Sequence, residues 1–431
     1  MPPGGIRSSP NLLTLPTSQR VKYKIVCKKC GEAVGTFRDW FANDQKCPCG
    51  SNYAEVTYPG THYRDLPKYF DGEVQSHFHY FEYLPLESRE NIVSCGEGAI
   101  PMERWEHLER HARERHGIDC KVYMYRNDLN GGTASFKDVS GSLAASVMKE
   151  NGVGAYCLAS TGNAGAAYAA YLAHAGIRFT CFSPSWVDDR TADAIRSTGQ
   201  TLVVSKGSYG DAKAECADFH SRTGVPMSCG NTDPIRVESK RTIVFECLRQ
   251  LGRLPTVYMQ AVAGGTSPIA FEKGFRDIRP DFPHCHMPRM LLVQQDECDP
   301  MVSAWEWAKE HNFPVGYEQH YAAKQPCRTR IGILTAAMPG NYPLVAPLVR
   351  SSGGDFLRVA EASLPAYGLQ MKRATGILLG PASMVCYAGF FKALEQGLIK
   401  QDDVVLLNCG ESSRRAQWFV DEVERLENAN G

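Results

Sequence analysis

From residue 120 onward the chain alternates short, continuously apolar runs with longer segments whose apolar positions recur at helical spacing. The runs at 122–125, 155–159, 178–182, 201–205, 256–262, 290–294 and 404–407 read as strands. The segments at 164–175, 188–197, 209–222, 241–251, 268–279, 300–311 and 381–396 read as helices. Another helix opens near residue 137, where Phe136, Val139, Leu143, Val147 and Met148 share one face. Strands that are apolar at every position belong to parallel sheets covered on both faces. The pattern therefore predicts an α/β protein with doubly wound sheets. The units are too many for one sheet, so two α/β domains with a cleft between them are expected. The larger would take residues 61–145 and 240–431, the smaller 146–239.

The N-terminal part reads differently. Residues 1–20 have no apolar core and read as a disordered lead-in. Residues 60–100 read as a loop-rich connection, and 103–117 as a charged surface helix. Between the lead-in and the connection stand two cysteine pairs, Cys27 with Cys30 and Cys47 with Cys49, each on a tight turn. Four thiolates on two knuckles predict a tetrahedral zinc ribbon over 21–60. Such a zinc is structural, because four thiolates leave no open position. The second pair is C-x-C, tighter than the usual C-x2-C. For His62, His77 and His79, aromatic neighbours favour packing over ligation.

Composition narrows the class without choosing a function. Lys plus Arg and Asp plus Glu are equal at 47 each, so no nucleic-acid or anionic-membrane partner is implied. No apolar run reaches the length of a membrane span. Most of the 16 cysteines stand singly in apolar elements, as reduced core thiols of a cytoplasmic protein would.

The candidate chemistry lies at the ends of the predicted strands. Lys137 follows the turn 127–132 and falls in the first turn of its helix, with Ser135 and Asp138 spaced as in a capping box. The positive end of the helix dipole lowers a lysine's pKa, and a neutral amine is what Schiff-base chemistry needs. Ser160-Thr161-Gly162-Asn163 follows the 155–159 strand and offers hydroxyls, an amide and backbone N–H groups. Ala263-Gly264-Gly265-Thr266-Ser267 follows the 256–262 strand, where glycines let backbone amides approach a phosphate. It is neither a dinucleotide fingerprint nor a P-loop. Asn408-Cys409-Gly410 ends the last strand, so Cys409 is expected in the same cleft.

Together these stretches resemble the fold type II pyridoxal-phosphate enzymes, and within them the threonine synthase family, from about residue 84 to about 415. G-E-G-A-I-P at 96–101 is similar to the family's G-E-G-x-T-P, and N-G-G-T-A-S-F-K-D at 130–138 to N-x-T-G-S-F-K-D. S-T-G-N at 160–163 resembles the family's Asn loop, and N-x4-R-x-E at 231–238, followed by Thr242, its N-x2-R-x-E-G-x-x-T. A-G-G-T-S at 263–267 with K-G-F at 273–275 resembles the phosphate loop and its helix, and L-L-N-C-G at 406–410 resembles L-N-T-G. The resemblance implies the tryptophan synthase beta-like fold and pyridoxal 5′-phosphate, with the Schiff base on Lys137, which also serves as acid and base at Cα and Cβ. It implies that Asn163 binds the cofactor's 3′-oxygen. Ala263, Gly264, Gly265, Thr266 and Ser267 would cradle the phosphate. Cys409, where the family has Thr, would be the neutral neighbour of a largely unprotonated ring nitrogen, and Ser160 and Thr161 would take the substrate carboxylate. N-terminal ribbons also occur in the family.

The implied reaction eliminates phosphate from O-phosphohomoserine and adds water at Cβ, giving threonine. The partner would be a small phosphorylated amino acid, and a homodimer is the candidate assembly. Three departures point elsewhere: Val139 where the family has Arg, Ala263 where it has Gly, and C-G-E-S-S-R-R where it has T-G-S-G-L-K. Cysteate synthase, a relative joining phosphoserine to sulfite, departs from the same motifs. β-Replacement on a three-carbon substrate, or a paralogue in specialised metabolism, is the alternative. A non-catalytic binding protein on the same fold is the third reading, and the intact Lys137 argues against it.

Overall fold

The computed structural model of the protein describes residues 21–324 and 326–429. The lead-in expected at 1–20 lies outside them. Strands β1 (Lys24–Cys27), β2 (Ala33–Gly35) and β3 (Ala54–Thr57) form a small antiparallel sheet in the order β2-β1-β3. Two larger sheets follow. Strands β4 (Met102–Arg104), β5 (Lys121–Arg126), β9 (Val257–Ala261), β10 (Arg289–Gln295), β11 (Asp355–Val359) and β12 (Val404–Cys409) form one, in the order β11-β10-β9-β12-β5-β4. Strands β6 (Ala155–Ala159), β7 (Arg178–Ser183) and β8 (Thr201–Val204) form the other, in that order. All pairings in these two sheets are parallel except β4 with β5.

The continuous apolar runs arise because both faces of the six-stranded sheet are buried. Along β10, Leu291 and Val293 pack into one core cluster, while Met290 and Leu292 pack into the cluster on the opposite face. Along β12, Val405, Leu407 and Cys409 share the first cluster and Leu406 the second. The helix Pro381–Glu395 covers the first face with Met384, Val385, Tyr387 and Ala388. The smaller sheet packs Tyr156, Leu158, Phe179 and Cys181 against the alanine-rich helix Asn163–His174, whose small side chains allow close approach. Residues 226–228 extend this sheet beside β6, with Cys157 N–H donating to Pro226 O at 3.0 Å and Ser228 N–H to Cys157 O at 3.1 Å.

Several elements differ from the sequence expectation. The surface helix expected over 103–117 is Glu106–His116, and its start is the antiparallel edge strand β4. Strand β11 and the helices Tyr342–Ser351, Leu364–Thr375 and Gln417–Ala429 were not expected. The helix expected from 241 begins at Pro234, where Asp233 caps it by accepting from Ile235 N–H at 3.0 Å. Its Arg236, Glu238, Lys240 and Arg241 are all buried. The connection 60–100 forms short 3-10 turns. In it His77 is a packed core residue: Nε2 lies 2.8 Å from Ser142 Oγ, and burial pushes its pKa down to about 3, so it is neutral.

Candidate active site

A cleft of about 540 Å3 opens where the loops after β6 and β9 face the start of the Asp138–Glu150 helix and the end of β12. Lys137, Ser160, Thr161, Asn163, all five residues of the 263–267 loop and Asn408 line it. Strands from two sheets thus aim their carboxyl ends at one volume, the usual place for ligands in α/β folds.

Lys137 is the N-cap residue of its helix, one position before the first turn. Asp138 organises this corner: its carboxylate accepts from the Thr133 hydroxyl at 2.6 Å, Thr133 N–H at 2.9 Å and Ser135 N–H at 3.0 Å. The Lys137 ammonium lies 3.6 Å from the centroid of the Phe136 ring. Among the described residues no carboxylate pairs with it. Burial, then the nearby Arg236 cation, lower its pKa to about 7, against an opposing pull from Glu411. The helix dipole invoked from the sequence is thus not the leading cause. At neutral pH a sizeable share of this amine is unprotonated and nucleophilic.

The 263–267 loop has no room for side chains at Gly264 and Gly265. A Cβ on Gly264 would fall 1.9 Å from Asn231 Nδ2, and one on Gly265, at φ +77°, would fall 2.6 Å from Val345 Cγ2. Asn341 Nδ2 donates to Gly264 O at 2.6 Å, and Thr266 Oγ1 donates to Asn231 Oδ1 at 3.1 Å. The helix Thr266–Ile278 starts here, so the free N–H groups of its first turn and the positive dipole end face the cleft. A phosphate monoester fits this donor set, and the amine of Lys137 lines the same cleft.

Ser160 caps its own loop: Oγ accepts from Gly165 N–H at 2.9 Å and Gly162 N–H at 3.1 Å. Thr161 contributes to the wall. The Asn163 amide is held at both ends. Its Nδ2 donates to Glu411 at 2.6 Å, and its Oδ1 accepts from Arg415 at 2.7 and 3.2 Å. Cys409 closes β12 but is not a wall of the cleft. Its thiol sits on the face covered by the Pro381–Glu395 helix, with Sγ 3.9 Å from Ser383 O. The strand's period of two puts it there, on the side of Val405 and Leu407.

Other residues enter the site without having been assigned roles from the sequence. Arg236 lines the cleft and donates through Nε to Tyr168 OH at 3.2 Å. Lys240, one helical turn on, donates to Ser140 Oγ at 2.8 Å, and burial followed by the charges of Lys137 and Arg236 pushes its pKa well down. Asn231 and Arg236 were visible as a motif and Glu411 and Arg415 as part of the altered terminal motif, but Asn341 and Lys240 carry no local signal.

At the N-terminal sheet, the thiol sulfurs of Cys27, Cys30, Cys47 and Cys49 all lie within 4.8 Å of one another. Cys27 and Cys49 are 3.7 Å apart, and Cys30 and Cys47 are 3.5 Å apart. A tetrahedron of Zn–S bonds of about 2.3 Å has edges of about 3.8 Å, so the donor set fits zinc. The ribbon also touches the cleft. Gln45, buried and at a left-handed φ of 56°, donates to Met227 O at 2.7 Å, and Asn52 joins the cleft wall beside residues 227–231.

Known proteins were compared with the chain. It is 27% identical over 392 residues to threonine synthase of Methanocaldococcus jannaschii, covering 89% of this chain and 91% of the relative. It is 27% identical over 399 residues to cysteate synthase of Methanoculleus marisnigri, covering 90% and 88%. Among solved structures it is similar to threonine deaminase isoform 2 of Solanum lycopersicum, with a TM-score of 0.60 and 19% identity over 76% of this chain and 87% of that one. It is also similar to O-ureido-L-serine synthase, with a TM-score of 0.57 and 17% identity over 75% and 92%. These structures share the fold type II α/β architecture. Among the described residues no helix is long and apolar enough to cross a membrane. The model of the pyridoxal-phosphate dependent enzymes matches residues 93–410, which takes in Lys137, both loops and the end of β12, and the chain belongs to that family.

Proposed function

We propose that the protein is a synthase acting on an O-substituted amino acid, with O-phosphohomoserine converted to threonine as the leading reaction. The observation that carries the reading is Lys137: a buried amine of lowered pKa, facing a phosphate cradle across one cleft. When bound, pyridoxal phosphate supplies an electron sink that makes the substrate's Cα proton acidic. Ala263, Gly264, Gly265, Thr266 and Ser267 would hold its phosphate, and Asn163 its 3′-oxygen. Nζ of Lys137, when free, would carry protons between Cα and Cβ of the substrate. Thr161 and the loop N–H groups would hold the substrate carboxylate, while Ser160 keeps that loop in shape. Arg236 and Lys213, both on the cleft wall, would face the anionic leaving group.

The cysteate-synthase-like reading has its own support in the altered terminal motif and in the similarity to that relative. Product analysis separates the two. With O-phosphohomoserine the first reading expects threonine and inorganic phosphate, whereas O-phosphoserine plus sulfite should yield cysteate under the second. Absence of product and of released phosphate in both assays would sink the proposal.

We also read the ribbon as a structural zinc site. Purified protein should carry about one zinc per chain, lost in Cys27→Ser or Cys47→Ser, with thermal stability falling more than turnover. Metal analysis decides this; zinc-free protein with four titratable thiols would rule it out. The sequence reading of Cys409 as the neighbour of the cofactor's ring nitrogen needs its thiol on the cleft face of β12, whereas it packs on the face of Val405 and Leu407. A thiol is a weak hydrogen-bonding group. Cys409→Ser should therefore keep kcat within about tenfold, or about 1.4 kcal/mol in the barrier. A larger loss would mean that the thiol has a role a hydroxyl cannot take.

A further inference from the structure

The departure of the terminal motif from the threonine synthase pattern has a structural counterpart. Two of its residues, Glu411 and Arg415, close on Asn163 from opposite sides. Glu411 is buried, and its backbone is pinned by Ser383, whose Oγ accepts from Glu411 N–H at 3.1 Å and donates to Glu411 O at 2.9 Å. The same strand end pairs with the Lys137 loop: Phe136 N–H donates to Gly410 O at 3.0 Å, and Ser412 N–H to Ala134 O at 3.0 Å. Arg415 reaches across the Lys137 and Asn163 loops, donating through one nitrogen to Thr133 O at 2.6 Å and through two others to Asn163 Oδ1.

A side-chain amide has two ends of opposite character. With Arg415 on one side and Glu411 on the other, only one orientation of Asn163 satisfies both. The flipped amide would set its NH2 against a guanidinium and its oxygen against a carboxylate. In the allowed orientation Glu411 uses one hydrogen of Nδ2 and leaves the second for an acceptor.

We infer that Glu411 and Arg415 are positioning residues that fix the Asn163 amide with its N–H toward the cofactor's 3′-oxygen. The inference rests on the reading of Asn163 and Lys137 given above. The amide also links Glu411 to the charge near Lys137. Around Glu411 stand Arg415 and Lys137 as cations, with Arg236 and Lys240 behind Lys137 and Asp138 near Arg415. Burial pushes the pKa of Glu411 up, while the Asn163 donation and the Arg415 and Lys137 cations pull it back down; when ionised, its negative charge would favour the protonated form of the bound cofactor.

The test is the pH titration of the cofactor's visible absorption band in the holoenzyme. E411Q keeps the shape and an acceptor but removes the charge. Its titration midpoint should move down by at least about half a pH unit. In an N163A background the same substitution should produce a smaller shift, because the part carried by the amide is gone and only the direct charge effect remains. No shift in E411Q, or an equal shift with and without Asn163, overturns the inference. Should E411Q not fold, R415Q at the more accessible side carries the same cycle, with a shift upward that must also shrink in N163A. A wild-type protein without the band would overturn the reading of Lys137 and this inference with it. A normal wild-type band with no Glu411 effect overturns the inference alone.

Discussion

Lys137→Ala should abolish both the visible absorption of bound cofactor and turnover. The side chain supplies two things that no neighbour replaces. One is the covalent attachment, which needs a neutral amine, and burial and Arg236 lower this amine's pKa to about 7. The other is the mobile base at the substrate, worth at least about a hundredfold in rate by itself. Lys240 is a second buried amine near the first, but it is committed to Ser140 Oγ and is not a wall of the cleft. The loss should therefore exceed about a thousandfold, combining attachment and proton transfer. The spectrum and single-turnover kinetics of the variant check this. Turnover within about tenfold of the wild type, about 1.4 kcal/mol, would remove Lys137 from the chemistry.

The largest stability effect should come from Arg241→Met. Arg241 is fully buried and donates through Nε to Glu238 at 2.5 Å, and through another nitrogen to Asp277 at 3.0 Å and to Tyr63 OH at 3.1 Å. A further donation goes to Tyr83 O. Lys273 also pairs with Asp277 at 2.6 Å and with Glu238 at 3.2 Å, so two carboxylates share two cations in the interior. Removing one cation leaves a buried carboxylate undercompensated, and such losses amount to about 3–5 kcal/mol. The urea midpoint should fall accordingly. Arg241→Met combined with Glu238→Leu should recover much of the loss, because both charges then leave together. A single variant within about 1 kcal/mol of wild type would show that Lys273 alone satisfies the carboxylates. Because the same helix delivers Arg236 to the cleft, the loosened variant should also show a raised KM.

Much of the architecture was readable along the chain. A parallel strand buried on both faces must be apolar at successive positions, and β9, β10 and β12 are; the spacing alone marks them. Lys137, the 160–163 loop and the 263–267 loop were readable because turn chemistry and helix starts are local, and both loops follow a strand within a few residues. The paired cysteines were readable for the same reason, since knuckle ligands lie on short turns.

What the sequence could not decide is which polar groups are buried together. Nothing local in the 234–251 helix marks Arg241 as buried, because its burial depends on Tyr63, 178 residues away, and on Asp277. Glu411 and Asn163 are 248 positions apart, and nothing in either stretch marks the other as its partner. The same holds for Gln45 and Met227, which bring the ribbon to the cleft wall. Local spacing sets the period of the backbone and the chemistry of its turns, so the sequence by itself determined the elements, their order and the reactive loops. Desolvation and charge pairing depend on groups that meet only when distant segments pack. The tertiary structure alone therefore decided the ionisation of Lys137, the orientation of Asn163 and the side of β12 on which Cys409 lies.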